Sequence, residues 1–412
     1  MAGTNASGGI SFSVATNFTP ELVDGLAVYP VKELFGRLSS DGVGGGRAAF
    51  MLPSTGKAEF RKHVFHARSK GIGFNYLINA ACLDNAEYTR SWHNRFDRIL
   101  DFIEDCGIGS VTVSLPFLLA VIKKRRPGLK VRVGVYARVD NPVKARFYEE
   151  LGADEITLES ISVNRDFEAL GRIRESVGCG LQLIANSNCM LTCPLSGQHM
   201  VNLSHASQNG HSSRGFMIDW CALVCSAEKL REPSNYLRSE FIRPEDLKAY
   251  TALGYNSFKI LERGAPTSAM VERVRAYSDG RFDGNLLDLI QPYGFREKRP
   301  GTGGLARLAR FFFRPGEVPV SGILKLRRLA EMRGLTALLA ESPVRIHNRA
   351  LDGFLDGLRE RGCGRLDCGR CGYCASYARK AVRIDERYRA ELLGLYSERL
   401  GEMYSGGLWK GL

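Results

Sequence analysis

The sequence predicts an α/β protein whose core is a (β/α)8 barrel of the TIM-barrel type, followed by a mostly helical, Cys-rich C-terminal extension. From residue 10 to about residue 275, short runs rich in Val, Ile, Leu and Phe alternate with amphipathic helical segments. The number of these runs is eight, which is the number of parallel strands that closes such a barrel. No G-x-G-x-x-G turn follows any of them, which disfavours the alternative of a doubly wound open sheet.

The predicted strands are short and apolar, as strands buried on both faces are. In chain order they are Ile10–Thr16, Ala48–Leu52, Phe74–Asn79, Ser110–Leu115, Val131–Tyr136, Glu155–Glu159, Leu181–Asn186 and Ser257–Leu261. The helices predicted between them include Lys57–Ser69, Ser91–Asp105, Asn141–Leu151 and Asn164–Val177. Several of these helices precede a glycine, the residue that most readily ends a helix. Pro142 and Pro244 stand where a first helical turn would begin, a position that tolerates proline.

The pattern changes after about residue 275, and this change predicts two domains. The first is the barrel, over residues 1–275, and the second is a basic helical extension, over residues 276–412. Segments 301–304 and 315–319 contain the glycines and prolines that are typical of linkers. The helices predicted in the extension are Ile323–Arg333, Leu351–Arg361 and Glu386–Tyr404.

The composition is that of an ordinary globular protein, with 44% hydrophobic and 25% charged residues. The longest apolar stretches, such as Leu115–Ile122, are far shorter than the roughly 20 residues of a membrane-spanning helix. The first residues lack the basic and apolar regions of a signal peptide. We therefore expect a soluble, cytoplasmic protein with no membrane span.

The formal net charge is +13, and basic residues are concentrated in the C-terminal third. A basic field favours an acidic partner such as RNA, an anionic substrate or an anionic membrane surface. A solvated basic surface without a partner is the alternative. The basic residues close together in this region are Lys298, Arg299, Arg307, Arg310, Arg314, Lys325, Arg327, Arg328 and Arg333.

Polar side chains follow most of the predicted strands, at the barrel face where chemistry is expected. Glu159 and Glu262 are the candidate catalytic carboxylates. Arg138 and Arg263 are candidates for binding a substrate carboxylate, because a guanidinium pairs with a carboxylate in two places; surface ion pairing is the alternative. The candidate substrate-binding residues are Asn79, Arg138, Asn186 and Arg263. The glycine run 44–46 predicts either a backbone anion site or a flexible linker.

Eight of the eleven cysteines form two groups, and the first group is Cys189, Cys193, Cys221 and Cys225, termed here the barrel thiols. The first pair follows the seventh predicted strand, and a loop brings the second pair before the eighth. In a reducing compartment such pairs indicate a metal centre rather than disulfides. Structural zinc pairs usually leave two residues between cysteines, whereas both pairs here leave three, which favours an iron–sulfur cluster.

Three histidines, at positions 199, 205 and 211, follow Cys193 at intervals of six residues. This interval does not place them on one face of a helix. His199 is the candidate acid or base among them, and a surface or core histidine is the alternative.

The second group lies in the run GCGRLDCGRCGYC and consists of Cys363, Cys368, Cys371 and Cys374, termed here the C-terminal thiols. Four thiols within twelve residues indicate metal binding. The spacing is more typical of an iron–sulfur loop than of the two separated pairs of a zinc site, although it is not that of bacterial ferredoxins. A second iron–sulfur cluster is therefore predicted, with zinc as the alternative.

Several of these motifs together resemble the U32 proteins, long labelled collagenase-like peptidases. They are Asn188-Cys189, Cys193-Pro194 with His199, the pair Cys221 and Cys225, and the run RPEDLKAYTALGYNSFKILERG. The segment from Lys259 to Arg263 stands in place of the family's Lys-Ile-Glu-Gly-Arg-like strand, with an altered residue order. The resemblance covers roughly residues 10–275.

The resemblance implies chemistry that the residues alone do not. Several U32 members look like oxygen-independent hydroxylation factors for tRNA, rRNA or the ubiquinone ring, with prephenate as a proposed oxygen donor. They carry a [4Fe-4S] cluster on four cysteines, which match the barrel thiols. The leading hypothesis is therefore an iron–sulfur hydroxylase or modifying enzyme for a small carboxylate-bearing or aromatic substrate, working with an electron donor or a U32-type partner subunit.

Three other functions stay open. RNA modification fits the basic extension and its Phe311–Phe313 run, if these rings stack on bases rather than pack in the core. Peptidase activity fits the family label, but the chain has no His-Glu-x-x-His helix and no Gly-x-Ser-x-Gly elbow. A non-catalytic electron-transfer partner is the remaining alternative.

Overall fold

The structure is a computed structural model, and it describes residues 9–39, 41–208, 210–262, 264–295, 297, 305–314, 316–335, 338–339, 341–363 and 368–410. Eight parallel strands pair in chain order and close into a barrel, which confirms the predicted fold class. The barrel strands are β1 (Ser11–Ala15), β2 (Val31–Gly36), β3 (Gly73–Ile78), β4 (Ser110–Val113), β5 (Lys130–Val133), β6 (Glu155–Thr157), β7 (Gly180–Ile184) and β8 (Ser257–Ile260).

Helices surround the barrel and make up most of the extension. In the barrel they are α1 (Pro20–Leu26), α2 (Lys57–Ser69), α3 (Arg90–Asp105), α4 (Pro116–Arg125), α5 (Pro142–Glu150), α6 (Ser160–Val163), α7 (Phe167–Ser176), α8 (Ser196–Ala206), α9 (Trp220–Arg231), α10 (Leu247–Thr251) and α11 (Thr267–Asp279). In the extension they are α12 (Leu286–Ile290), α13 (Leu305–Phe312), α14 (Val320–Met332), α15 (Phe354–Arg361), α16 (Cys368–Cys371), α17 (Tyr373–Ala381) and α18 (Glu386–Tyr404). None of the helices in the described ranges is both long and apolar enough to cross a membrane.

The second predicted strand is wrong. Residues 49–51 form a short 3-10 helix. The second barrel strand is β2, which begins at Val31, 17 residues before the predicted start at Ala48. The segment that forms β2 was not predicted as a strand because it contains the charged Glu33, and buried strands rarely contain an unpaired carboxylate. Inside the barrel Glu33 lies 2.6 Å from the Arg132 guanidinium, which also pairs with Glu155. The apolar run at 48–52 instead packs beside Ala206.

The remaining barrel elements follow from local sequence signals. Helix α5 begins with Pro142, and the Asn141 side chain accepts a hydrogen bond from the Lys144 amide at 3.1 Å. The helix predicted over Asn164–Val177 corresponds to α7, which begins only at Phe167, and a separate short helix, α6, ends at Val163. The buried Asn164 side chain donates to two main-chain carbonyls, those of Ile184 and Glu240, so it is held to the barrel between the two helices.

The extension packs directly against the barrel rather than apart from it. Helix α18 lies against α9, and α17 lies against the 3-10 helix Pro233–Tyr236. A small antiparallel sheet joins β9 (Val344–Ile346) to β10 (Val382–Ile384). Buried side chains of the extension belong to the same hydrophobic core as those of the barrel. This packing places the C-terminal thiols near the loops that carry the barrel thiols.

Candidate functional site

The glycine run before Arg47 forms a cover over the carboxyl-terminal face of the barrel. The Gly46 amide donates to Asn79 Oδ1 at 3.0 Å, and the Tyr136 hydroxyl donates to the Gly46 carbonyl at 2.8 Å. A Cβ on Gly46 would lie 2.9 Å from Asn79 Nδ2, so the close approach requires glycine here. Asn79, predicted to bind substrate, therefore holds this cover in place with its side-chain oxygen.

Arg138 and Glu159, predicted for separate roles, form an ion pair with each other. The Arg138 Nε donates to Glu159 Oε1 at 2.7 Å, and the Ser162 hydroxyl donates to Oε2, also at 2.7 Å. Glu159 is almost completely buried, whereas 49% of the Arg138 side chain is exposed. Arg138 also has a positive φ of 56°, a strained conformation of the kind that clusters at functional sites. The guanidinium therefore has one fixed partner and one open side.

The other predicted site residues at this face have different surroundings. Asn186 uses its whole amide on main-chain groups: it donates to Leu261 and Leu289 and accepts from the Leu261 amide at 2.6 Å. Glu262 lies 3.6 Å from the Arg47 guanidinium and has a φ of 94°. Arg263 lies outside the described residues. Asn186 therefore ties the end of β7 to the end of β8.

The barrel thiols come from two segments that meet beside β7. Cys189 follows the strand and is exposed, whereas Cys221, in the first turn of α9, is buried. Cys225 lies one turn further along the same helix. Burial is the main cause of a raised pKa at the other three barrel thiols, and a charged Cys225 raises the pKa of each of them further. The other three barrel thiols therefore lie within electrostatic range of Cys225.

Cys189 is exposed to solvent, and yet the pKa of its thiol is raised mainly by the protein atoms around it. Both observations hold because the side chain is open on one side only. Solvent reaches the side chain, while protein atoms pack densely around it and raise the pKa of its thiol, as does the neighbouring Glu240 carboxylate. The Glu240 amide donates to the Cys189 carbonyl at 3.1 Å, and the Cys189 amide donates to Glu240 Oε1 at 3.3 Å. Cys189 is thus open to solvent while its main chain is bonded to the buried Glu240.

Sequence reasoning missed Lys229, the buried cation beside these thiols. It lies one helical turn after Cys225 and is only 2% exposed. Its ammonium donates to the Asn188 carbonyl and to Gln291 Oε1, and it forms no ion pair with an Asp or Glu among the described residues. Burial lowers the pKa of Lys229, whereas charged Cys225 and Cys189 raise it. A fully buried lysine normally needs an anionic partner, and here the candidates are the thiolates of Cys225 and Cys189 and the buried Glu240 carboxylate, which also raises the pKa of Lys229.

His199 is held at the start of α9. Its Nε2 lies 3.0 Å from Asp219 Oδ2, while Asp219 Oδ1 accepts from the Ala222 amide and caps the helix. The pair connects α8 to the helix that carries Cys221 and Cys225. His205 and His211 stack on each other at 4.1 Å between ring centroids, away from this contact.

Each thiol group offers four sulfurs, the ligands that both zinc and iron–sulfur clusters take. Within the described ranges, no three His, Cys, Asp or Glu side chains are grouped tightly enough to hold one metal ion. Around zinc, Zn–S bonds of about 2.3 Å bring four sulfurs close together, whereas a four-iron cube separates its ligand sulfurs more widely.

The C-terminal thiols line one pocket together. Its walls also include two arginines, Arg238 and Arg361. Cys368 is exposed and the other three thiols are partly buried. The structure therefore brings together all four residues of each predicted group, in two neighbouring sites.

A model of peptidase family U32 matches residues 56–281, which is more than half of the chain. The chain belongs to peptidase family U32. The U32 match includes the barrel thiols and ends before the C-terminal thiols. An uncharacterized protease of Methanocaldococcus jannaschii is 30% identical over 342 residues, which are 83% of this chain and 86% of the relative. The solved structure of the U32 peptidase Mk0906 is 20% identical with a TM-score of 0.47, over 65% of this U32 chain and 97% of its own.

Proposed function

We propose that this U32 chain is an iron–sulfur-dependent oxidoreductase that hydroxylates, or otherwise modifies, a small organic substrate without O2. The substrate class is carboxylate-bearing or aromatic, and the barrel thiols hold one [4Fe-4S] cluster. The observation that carries the proposal is the meeting of four thiols with the buried Lys229 at the face where barrel enzymes work. An anionic cluster on thiolates would supply the negative charge that the Lys229 ammonium lacks.

The residues around this site divide the remaining tasks. A bound cluster supplies single-electron transfer. The open side of Arg138 is suited to a substrate carboxylate, while Glu159 keeps the guanidinium in a fixed orientation. Asp219 holds His199 through its Nε2 atom. The other ring nitrogen, Nδ1, is therefore the one that exchanges a proton with the substrate. The glycine cover on Asn79 limits the access of water from one side of the barrel face.

The test is anaerobic purification with analysis of iron, sulfide and zinc in the wild type and in the variants Cys189→Ala and Cys225→Ala. We expect each variant to contain about four fewer irons per chain than the wild type. Cys106→Ala is the matched control, because Cys106 is a partly buried cysteine outside both groups. Equal iron content in all four proteins would remove the basis of the proposal.

RNA modification is the second candidate, favoured by the net charge of +13 and by the aromatic run before Arg314. Phe311 is buried, and Phe312 packs on Phe50 with ring centroids 4.9 Å apart, so both rings belong to the core. Phe313 is 65% exposed and is the ring available for base stacking. RNA retention that falls steeply with salt, and falls further in Phe313→Ala than in Tyr404→Ala, would support this candidate.

Two further candidates are separated by simple assays. The word protease in the name of the archaeal relative applies to that protein. Cleavage of a protein substrate that is equal in the wild type and in Cys189→Ala would favour a peptidase over a cluster enzyme. A protein that accepts electrons but modifies nothing without an added subunit would be an electron-transfer partner.

A further inference from the structure

We propose that the C-terminal thiols hold a second iron–sulfur centre that relays single electrons to the first, from an acidic one-electron carrier protein that docks on this side of the molecule. The relay rests on the proposed function, because it needs a cluster on the barrel thiols as its acceptor. The second site itself lies beyond the region matched by the U32 family.

The chain path turns all four C-terminal thiols into one pocket. Gly362 ends α15 with a φ of 62°, and Gly372 precedes α17 with a φ of 66°. Both values are left-handed, the conformation that glycine adopts without strain, and each reverses the chain beside a cysteine. Leu358, Gly372 and Tyr373 line the same pocket as the thiols. The spacing of Cys363, Cys368 and Cys371 is also that of the first three ligands in plant-type ferredoxin loops.

A buried cation without a complete set of partners adjoins this pocket. Arg165 is 4% exposed, and its Nη1 has no hydrogen-bond partner among the described residues. Its other nitrogens donate to the carbonyls of Ser239 and Phe241, at 3.3 and 2.8 Å. Burial raises the pKa of Cys363 and Cys374, and the charge of Arg165 lowers the pKa of both thiols. A buried guanidinium with an unbonded N–H is costly unless an anion lies beside it. The thiolates and sulfides of a cluster would be such an anion.

Residues 238–240, termed here the linking strip, connect the two sites. At one end, the Arg238 guanidinium donates to the Cys368 carbonyl at 3.4 Å. At the other end, the Glu240 amide donates to the Cys189 carbonyl at 3.1 Å. Three extended residues span at most about 10 Å. The two sites are therefore joined by one short path of covalent and hydrogen bonds. Arg165 also contacts this path, because it donates a hydrogen bond to the Ser239 carbonyl.

The direction of the relay follows from position and charge. Each site has one exposed thiol, Cys189 beside the barrel face and Cys368 on the side of the extension. Exposed basic residues flank the C-terminal thiols along the chain, and one of them, Arg361, lines the pocket; they are Arg359, Arg361, Arg370, Arg379 and Lys380. Such a rim attracts an acidic protein partner and steers it to the pocket. In each transfer the carrier loses one electron and the second centre gains it; the same electron then reduces the first centre and leaves the second oxidised again. The relay only sets the first centre in its reduced state, because the exchange of a substrate hydrogen for the hydroxyl of an organic donor is redox-neutral and consumes none of these electrons.

The experiment uses the full chain, purified anaerobically, with a low-potential acidic ferredoxin as the carrier. In Cys368→Ala/Cys371→Ala we expect loss of the second centre's iron, retention of the first centre's iron, and at least a tenfold slower reduction of the first centre by ferredoxin. Dithionite, a small reductant that needs no docking, should still reduce it. Electron paramagnetic resonance of the reduced wild type should show two interacting signals, and that of the double variant a single uncoupled signal.

A second variant leaves every thiol in place. Arg379→Glu, at an exposed position on α17 that does not line the pocket, should slow reduction by ferredoxin at least tenfold at low salt with unchanged iron content, whereas Arg275→Glu, an exposed arginine on α11, should not. Unchanged ferredoxin kinetics in the cysteine double variant, or zinc in place of iron at this site, would overturn the relay. Loss of iron in Cys189→Ala together with no loss in Cys368→Ala/Cys371→Ala would overturn the relay alone, and the reverse pattern would overturn the proposed function.

Discussion

The Lys229 ammonium donates to the main-chain carbonyl of Asn188, the residue directly before Cys189. This contact joins helix α9, which carries Cys221 and Cys225, to the loop after β7. It also leaves a buried positive charge with neutral partners, because Asn188 and Gln291 contribute only carbonyl oxygens. The charge is thus placed where thiolates and a cluster would need it.

Replacing Lys229 with methionine should affect the protein with and without its cluster in opposite ways. The variant Lys229→Met keeps the length of the side chain and removes its charge. We expect the iron of the barrel-thiol cluster to fall to less than half, because that cluster loses a buried cation beside it. The iron-free protein should be as stable as the wild type or more stable, since a buried ammonium without an anion is costly. Iron analysis and thermal unfolding check the two effects, with Lys248→Met, an exposed lysine on α10, as the control.

The Arg138–Glu159 pair predicts coupling in a double-mutant cycle. Arg138→Ala leaves the buried Glu159 carboxylate without its guanidinium, and Glu159→Gln leaves the guanidinium without its charge partner. We expect each single change to lower the free energy of unfolding by about 1–3 kcal/mol, because Arg138 is half exposed and solvent screens the pair. The double variant should lose clearly less than the sum of the two. Urea unfolding measures all four proteins, and additive losses would show that the pair is not coupled.

Asp219 has two roles that two substitutions separate. Asp219→Asn keeps an oxygen to cap α9 but weakens the contact with His199, whereas Asp219→Ala removes both. We expect Asp219→Ala to cost about 0.5–2 kcal/mol of stability and Asp219→Asn much less, since asparagine caps helices as well as aspartate does. Urea unfolding measures the cap, and the pH profile of the modification reaction measures the His199 contact. Equal stability of the two variants would mean that Asp219 contributes little as a cap.

Most of the barrel could be predicted because each strand carries its own local signal. Seven of the eight predicted strands overlap barrel strands, and glycines or prolines mark many helix ends. The exception is β2, where Glu33 is satisfied by Arg132, a residue almost 100 positions away. No local pattern reveals such a partner, so the apolar run at 48–52 looked like the better strand.

The thiols of the site could be predicted, but their surroundings could not. Cysteine spacing is a strong signal because few other arrangements explain it. Lys229 had a weaker signal: it lies at helical intervals of four and eight residues after Cys225 and Cys221, on the same face. The linking strip has no sequence signal at all, since Arg238 and Glu240 reach their cysteines only through tertiary pairing. Asn186 was predicted to bind substrate because it is a polar residue at a strand end. Its side-chain amide is instead fully hydrogen-bonded to main-chain groups, which the sequence does not reveal.

The glycine cover predicts a steric effect at Gly46. In Gly46→Ala the added methyl group would lie 2.9 Å from Asn79 Nδ2 and 3.1 Å from the Tyr136 ring. Crowding of this kind costs about 1–3 kcal/mol, which exceeds the gain of about 0.4–1 kcal/mol from a stiffer unfolded chain. We expect lower stability and faster proteolysis near residues 43–47. Gly128→Ala, where an added Cβ meets nothing within 4 Å, is the control and should not be destabilised.

His63 predicts the acid side of the stability profile. Its ring is buried between β1 and α2, where Nε2 lies 2.7 Å from the Thr16 hydroxyl, and burial lowers the pKa of His63 to about 4. The unfolded chain, with a histidine pKa near 6.5, binds this proton first, so stability should fall as the pH drops from about 6.5 to about 4. The full effect is on the order of 3 kcal/mol. His63→Gln cannot take up this proton, so its stability should depend less on pH in this range when urea unfolding is measured at a series of pH values. His347→Gln, at an exposed position, is the control and should behave like the wild type. An equally steep loss of stability in His63→Gln would assign the acid sensitivity to other groups.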